Sequence, residues 1–270
     1  MNYLEYGDPN GKIVIYFHGA PGSPEECSIF DRDAKSSRLN IICYDRFAID
    51  ETLKNGDYYK QIADLIIDKA NGEKVDMVGF SIGCHAAIET CVHLKDNVRE
   101  LHLISSAAPL DAANFLEGMA GEMVFSLAMK HPTIFMLLSY WQSLLAKLSP
   151  AVLMNMLFAS ATGEDKALSN TANFRSYIKP ILNHCFSRNV KGYIREVNQY
   201  VTPWESSIIK CNASTHIWHG DNDNWSPVSM ASYLKDNMPA FSKLEIIEGV
   251  SHYSCLYAAV PRICERLRSA

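Results

Sequence analysis

The chain has 270 residues, 48% of them hydrophobic and 20% charged, and a formal net charge of −5. That balance describes an ordinary globular protein with a sizeable core. The acidic excess argues against a nucleic-acid partner, which calls for a basic face.

Lys12–Phe17, "KIVIYF", is a β-branched and aromatic run that ends at His18-Gly19. Leu39–Asp45, Lys74–Ser81 and Val98–Ala108 are further strand-like runs, and helical candidates at about Pro24–Lys35, Asp57–Ala70 and Ile82–Lys95 lie between them. Near-continuous apolar strands separated by helices predict a parallel sheet covered on both faces.

The alternation stops after Pro109. From Leu110 to about Trp204 the pattern is helical and rich in Met, Leu, Phe and Ala. Within it, His131 to Ala146 carries no acidic residue, lysine or arginine, yet the stretch is shorter than the ~20 apolar residues of a membrane span. It predicts a buried or groove-lining helix. Met119, Met123, Met129, Met136, Met154 and Met156 read mainly as core, and Arg175, Lys179, Arg188 and Arg195 as a solvated face. Alternation then resumes with Ser214–Gly220, a helix near Val228–Asn237, Lys243–Gly249 and a last helix near Cys255–Ser269. One α/β core domain, residues 1–109 and 205–270, with a helical cap of residues 110–204 inserted, is the expected organisation.

The start, "MNYLEYGDPNGK", has neither a basic leader nor an apolar stretch, so no signal peptide is expected. Eight cysteines form no C-x-x-C pair, which argues against a zinc ribbon or a thioredoxin-type motif. Reduced, packed thiols in a cytoplasmic protein are the expectation.

In an open parallel sheet, ligands bind beyond the carboxyl ends of the strands. His18-Gly19-Ala20-Pro21-Gly22-Ser23 follows the first predicted strand, and Ser81 follows the third. His219-Gly220-Asp221-Asn222-Asp223 and Gly249-Val250-Ser251-His252 follow the last two. A serine, carboxylates and a histidine thus converge on one edge. Gly79-Phe80-Ser81-Ile82-Gly83, between strand and helix, is a nucleophile-elbow pattern. The turn strains its central residue and presents the hydroxyl at a helix N-terminus, where a developing anion is favoured. A serine hydroxyl needs a base, and the base an orienting acid.

With these four motifs in this order, the sequence resembles the α/β-hydrolase family, in its capped branch of esterase-, peptidase- and dehalogenase-like enzymes. The resemblance implies Ser81 as nucleophile and His252 as general base. Gly220, Asp223 and Pro227 match the family's acid-loop spacing and point to Asp223 as the acid, with Asp221 and, more remotely, Asp111 as alternatives. It also implies an oxyanion hole made by the backbone N–H groups of Ala20 and Ile82, with no metal and no cofactor. Serine rather than aspartate at position 81 argues against dehalogenase and epoxide-hydrolase chemistry.

Two departures stand out. After Asp45-Arg46 the chain reads "FAIDETLKNGD" without the family's proline and glycine pair, so this loop must take another path. Few residues precede "KIVIYF", so part of the usual leading hairpin is expected to be missing. The implied function is acyl transfer from carboxylic esters of small molecules. Amide or carbon–carbon hydrolysis, a lyase, or a non-catalytic binder of the same fold are the alternatives.

Overall fold

The structure, a computed structural model, describes residues 2–50, 52–53 and 55–269. Seven strands form one sheet in the order β1-β3-β2-β4-β5-β6-β7: Tyr3–Gly7, Lys12–Phe17, Leu39–Tyr44, Val75–Phe80, Val98–Ile104, Ser214–Gly220 and Ser242–Ile247 for β1 to β7. β1 runs antiparallel to β3, and all other pairings are parallel. The sequence pattern does not reveal β1, because its residues are largely exposed and only pairing with β3 makes them a strand.

The apolar runs are buried on both faces, as a parallel sheet requires. On β2, Val14 and Tyr16 enter one core cluster while Ile15 and Phe17 enter the other, one on each side of the sheet. Full burial of each such side chain contributes roughly 1.5–3 kcal/mol. α1 (Asp31–Ser37) and α12 (His252–Ser269) pack with the first cluster. α2 (Asn55–Ala70), α3 (Gly83–Leu94) and α11 (Val228–Asn237) pack with the second. The expected helix at Pro24 begins as a 3-10 turn, Pro24–Phe30, before α1.

Between β5 and β6 lie α4 (Glu122–Lys130), α5 (Pro132–Leu148), α6 (Pro150–Leu157), α7 (Gly163–Leu168), α8 (Ala172–Leu182), a π-helical turn (Asn183–Arg188), α9 (Val190–Tyr200) and α10 (Glu205–Lys210). Three expectations about this segment are corrected. α5 lines a groove, through Met136 and Tyr140, but is not a buried helix: Ile134, Leu137, Trp141, Leu144 and Leu148, spaced by three and four residues along one face, are 44–72% exposed. Its inward face carries Phe135 together with Ser139, Gln142, Ser143 and Ala146. The helix is thus apolar toward solvent and partly polar toward the protein, the reverse of a surface helix. Met119 and Met154 are core, whereas Met123, Met129, Met136 and Met156 are exposed. Arg195 is buried rather than solvated.

Candidate active site

The parallel register brings the carboxyl ends of five strands, β2 and β4 to β7, level. Phe17 lies opposite Gly79, Phe80 opposite Ile104, Ile104 opposite Trp218, and Gly220 opposite Ile247. Loops that are distant in sequence therefore leave the sheet along one edge.

Ser81 sits at the tip of β4 with φ +57°, a conformation unfavourable for a residue with a side chain. It is held there from both sides: its N–H donates to the Ile104 carbonyl at 3.0 Å, and its own carbonyl accepts from Cys84 N–H at 3.0 Å. Glycine at position 83 is a steric requirement, since a Cβ there would overlap the Phe17 carbonyl. Small Cys84, Ala86 and Ala87 then let α3 lie close against the sheet. Burial pushes the Cys84 thiol well up, so it is not a reactive thiolate.

His252 opens α12, and its Nδ1–H donates to Asp223 Oδ2 at 2.8 Å. The other carboxylate oxygen, Oδ1, accepts the N–H groups of Trp225 and Ser226, both at 2.9 Å. Imidazole and carboxylate are both buried. Burial alone would lower the His252 pKa, but the Asp223 charge and hydrogen bond outweigh it and hold the imidazole above its ordinary range. Asp223 is the mirror case: burial favours its neutral form, yet His252 and the backbone donors keep its pKa depressed. The Phe80 ring, one residue before Ser81, lies 4.8 Å from the imidazole, and the Trp225 ring stacks with it at 5.7 Å.

Asp221 makes no contact with His252. Its Oδ1 accepts from Gly249 N–H at 2.8 Å and from Asn222, on the exposed side of the loop. Asp111 is exposed after β5. His219 Nε2 pairs with the Ser226 carbonyl at 2.7 Å and so tethers the acid loop.

Ile82 follows the serine directly, and Ala20 lies in the loop after β2. Among the described residues neither backbone N–H is engaged by a protein acceptor. The Ala20 loop approaches Ser81 through Gly19, where a Cβ would stand 3.5 Å from that of Ser81. Gly19 N–H donates to buried Glu26 Oε1 at 2.8 Å, and burial raises the Glu26 carboxyl to about 7.

Three groups carry weight that sequence patterns do not mark. Asp165, from α7, accepts the N–H groups of Tyr253 and Ser254 at 2.8 and 2.7 Å, capping α12 immediately after His252. Glu26 holds the Ala20 loop. Arg46, in the divergent loop, donates to the His18 carbonyl at 2.5 Å. Two open clefts of about 570 Å³ lie elsewhere; one is lined by Met136, Tyr140, Ile194 and Gln199, and neither touches Ser81 or His252. The site is marked by its polar geometry, not by cleft size.

Comparison with known proteins agrees with this frame. A family model described as lipid-droplet associated hydrolase matches residues 52–255, three quarters of the chain, including Ser81, Asp223 and His252. The chain belongs to that family. This hydrolase has no significant match among curated protein sequences. Solved structures superpose on nearly all of it at low identity. A bromoperoxidase from Bacillus anthracis has 17% identity and a TM-score of 0.68, over 98% of this chain and 92% of that one. MenH from S. aureus has 14% identity and a TM-score of 0.70 over the whole of both chains. An esterase from Exiguobacterium antarcticum has 18% identity and a TM-score of 0.69, over 99% of the hydrolase and 93% of the esterase. At such identities the likeness is one of fold, and the fold is that of the α/β-hydrolases.

Proposed function

We propose that this protein is a serine hydrolase acting by acyl transfer on carboxylic esters, with Ser81, His252 and Asp223 as its triad. The observation that carries the reading is the His252 Nδ1–H bond to Asp223 Oδ2 at 2.8 Å, with the imidazole 4.8 Å from the ring of Phe80, the residue before a serine held at φ +57°. With Nδ1–H committed to the carboxylate, Nε2 is the basic nitrogen that takes the Ser81 proton as Oγ attacks the carbonyl. The Ala20 and Ile82 N–H groups receive the oxyanion, each contributing ~3 kcal/mol to transition-state stabilisation. His252 then protonates the departing alcohol and activates water to release the acyl group. No step needs a metal or an organic cofactor. The helical segment 110–204 serves as a cap, because Asp165 and Glu196, both within it, bond to the site's own elements.

The test is labelling with a fluorophosphonate probe, followed by peptide mapping and a panel of short p-nitrophenyl esters and anilides. Modification confined to Ser81, with esters turned over faster than anilides, is the expected result. A protein that does not label is a binder of the same fold.

The substrate reading extends to esters of lipids, for which the family's description and the outward face of α5 both speak. From Met123 to Gly163 there is no acidic residue, while Lys130 and His131 precede the exposed stripe of α5 and Lys147 lies in its last turn. Exposed apolar side chains with Trp141 and Tyr140 among them, flanked by lysine, suit the interface of an anionic lipid layer. Among the described residues no helix is long and apolar enough to cross a membrane, so the contact is one of lying on the surface. Eight free, buried thiols support a cytoplasmic setting.

Leu137→Asp/Trp141→Asp is expected to weaken flotation with triolein droplets coated in phosphatidylcholine and phosphatidylserine at least tenfold, since burying each side chain contributes roughly 1.5–3 kcal/mol. Its thermal midpoint should not move, as both positions are exposed. Equal flotation of the two proteins, or a wild-type dimer closed through this face, would remove the lipid contact.

A further inference from the structure

The divergent loop after β3 forms a 3-10 turn, Arg46–Ala48, and α9 is built around it. Arg46 is 1% exposed, and its Nη1 donates to both carboxylate oxygens of Glu196 on α9, at 2.7 and 2.6 Å. Tyr58 on α2 donates to the same carboxylate. Next to Glu196, Arg195 donates to the carbonyls of Ile49, Asp50 and Arg46 at 2.9, 3.0 and 2.7 Å, and its guanidinium lies 4.1 Å from the centre of the Tyr58 ring. Gly192 completes the fit, since a Cβ there would overlap the Phe47 carbonyl. Helix and loop are locked together through both backbone and side chains.

Stability alone does not account for the ion pair. Two charges taken out of water gain little over well-packed apolar residues of the same size, so a buried pair is weak evidence of a stabilising role. Arg46 has a second nitrogen, however, and it is spent on the site. Nη2 donates to the His18 carbonyl at 2.5 Å, two residues before Ala20. On the following residue, Gly19 N–H is fixed by Glu26 at 2.8 Å. The backbone that leads to Ala20 is thereby held at the His18–Gly19 peptide by a cation on one side and a carboxyl on the other. Lysine cannot replace Arg46 here, because one ammonium lacks the fork that reaches the carboxylate and the carbonyl together.

We propose that Arg46 and Glu196 are positioning residues: Glu196 orients the guanidinium, and Arg46 sets the His18–Ala20 backbone so that Ala20 N–H faces the oxyanion formed at Ser81. The proposal rests on the Ser81 reading. It makes helix α9 part of the machinery that stabilises the transition state, not merely a wall above it.

The test is the double variant Arg46→Met/Glu196→Met, compared with wild type and with Arg46→Lys. Removing both charges at similar volume should leave the thermal midpoint at or above the wild-type value. Turnover of p-nitrophenyl butyrate should nevertheless fall about 10- to 100-fold in kcat, the scale of a catalytic group displaced by about an ångström. KM should stay within about threefold, and the acidic limb of the pH profile, which belongs to His252, should not shift. The rate of fluorophosphonate labelling should fall in parallel with kcat. Arg46→Lys, which keeps the charge, should fold and show a kcat loss of at least fivefold.

A folded double variant with kcat within twofold of wild type overturns the proposal. Where the double variant does not fold, Arg46→Lys decides alone, and full activity in it overturns the proposal equally. A wild-type protein whose Ser81 does not label overturns the hydrolase reading and this proposal with it; a labelled wild type with unchanged variants overturns only the tie.

Discussion

Ser81→Ala is expected to lower ester turnover by about 10⁴-fold or more and to leave the fold intact, following the losses seen when an acyl-transfer nucleophile is removed. The substitution deletes Oγ and nothing else. Alanine keeps the Cβ, so the strain of φ +57° is neither relieved nor worsened. The hydrogen bonds that hold the turn use only the backbone of residue 81, with partners at Ile104 and Cys84. A change in thermal midpoint is therefore not expected, and lost activity is chemistry rather than unfolding. The residual rate comes from the Ala20 and Ile82 donors and from substrate binding alone. Purified wild type and variant, assayed on p-nitrophenyl butyrate and checked for intact mass after probe treatment, give the comparison. Turnover retained within tenfold would remove Ser81 from the mechanism.

Asp223→Asn is expected to cost about 10³- to 10⁴-fold in kcat, because the wrong imidazole tautomer is then favoured. The introduced amide can keep its oxygen on the N–H groups of Trp225 and Ser226, both at 2.9 Å from Oδ1 in the wild type, so the acid loop has no reason to move. That leaves the amide nitrogen, a donor, facing His252 Nδ1. Nδ1 must then accept, the proton moves to Nε2, and the nitrogen needed as base is no longer free. The pH profile should change as well. Catalysis needs neutral His252, whose pKa burial would lower but which the Asp223 charge holds above 6.5. Wild-type kcat/KM is therefore expected to rise with pH along a limb above 6.5. In the variant the Asp223 charge is gone and burial remains, so the limb should move to lower pH than in wild type. Asp221→Asn is the control: its carboxylate touches Gly249 and Asn222 rather than His252, and activity within about threefold of wild type is expected, as for a surface change. Equal losses at 221 and 223 would mean that the imidazole–carboxylate bond is not what orients the base.

Much of the sheet was legible without coordinates, because β2 to β5 are largely apolar runs and a parallel strand buried on both sides tends to read that way. β1 was not. Its five residues are mostly exposed, and only hydrogen bonds to β3 define them. The outward face of α5 was half legible. The absence of charge from His131 to Ala146 was plain, but a spacing of three and four says that an apolar stripe exists, not which side of the helix meets the core. Packing decided that Phe135, Ser139 and Ala146 turn inward while Leu137 and Leu148 do not.

By itself, the sequence determined the alternation of strands and helices, the elbow between Gly79 and Gly83, and the order in which a serine, two aspartates and a histidine leave the strand tips. These are local matters, set by side-chain shape and backbone freedom within a few residues. The tertiary structure removed Asp221 and Asp111 as alternatives to Asp223, and it alone decided that Asp165 caps the helix of His252 from 88 residues away and that Arg46 finds Glu196 at a separation of 150. A buried charge is tolerated only where a partner closes on it. Nothing in the spacing of a chain marks that partner until folding brings it within reach.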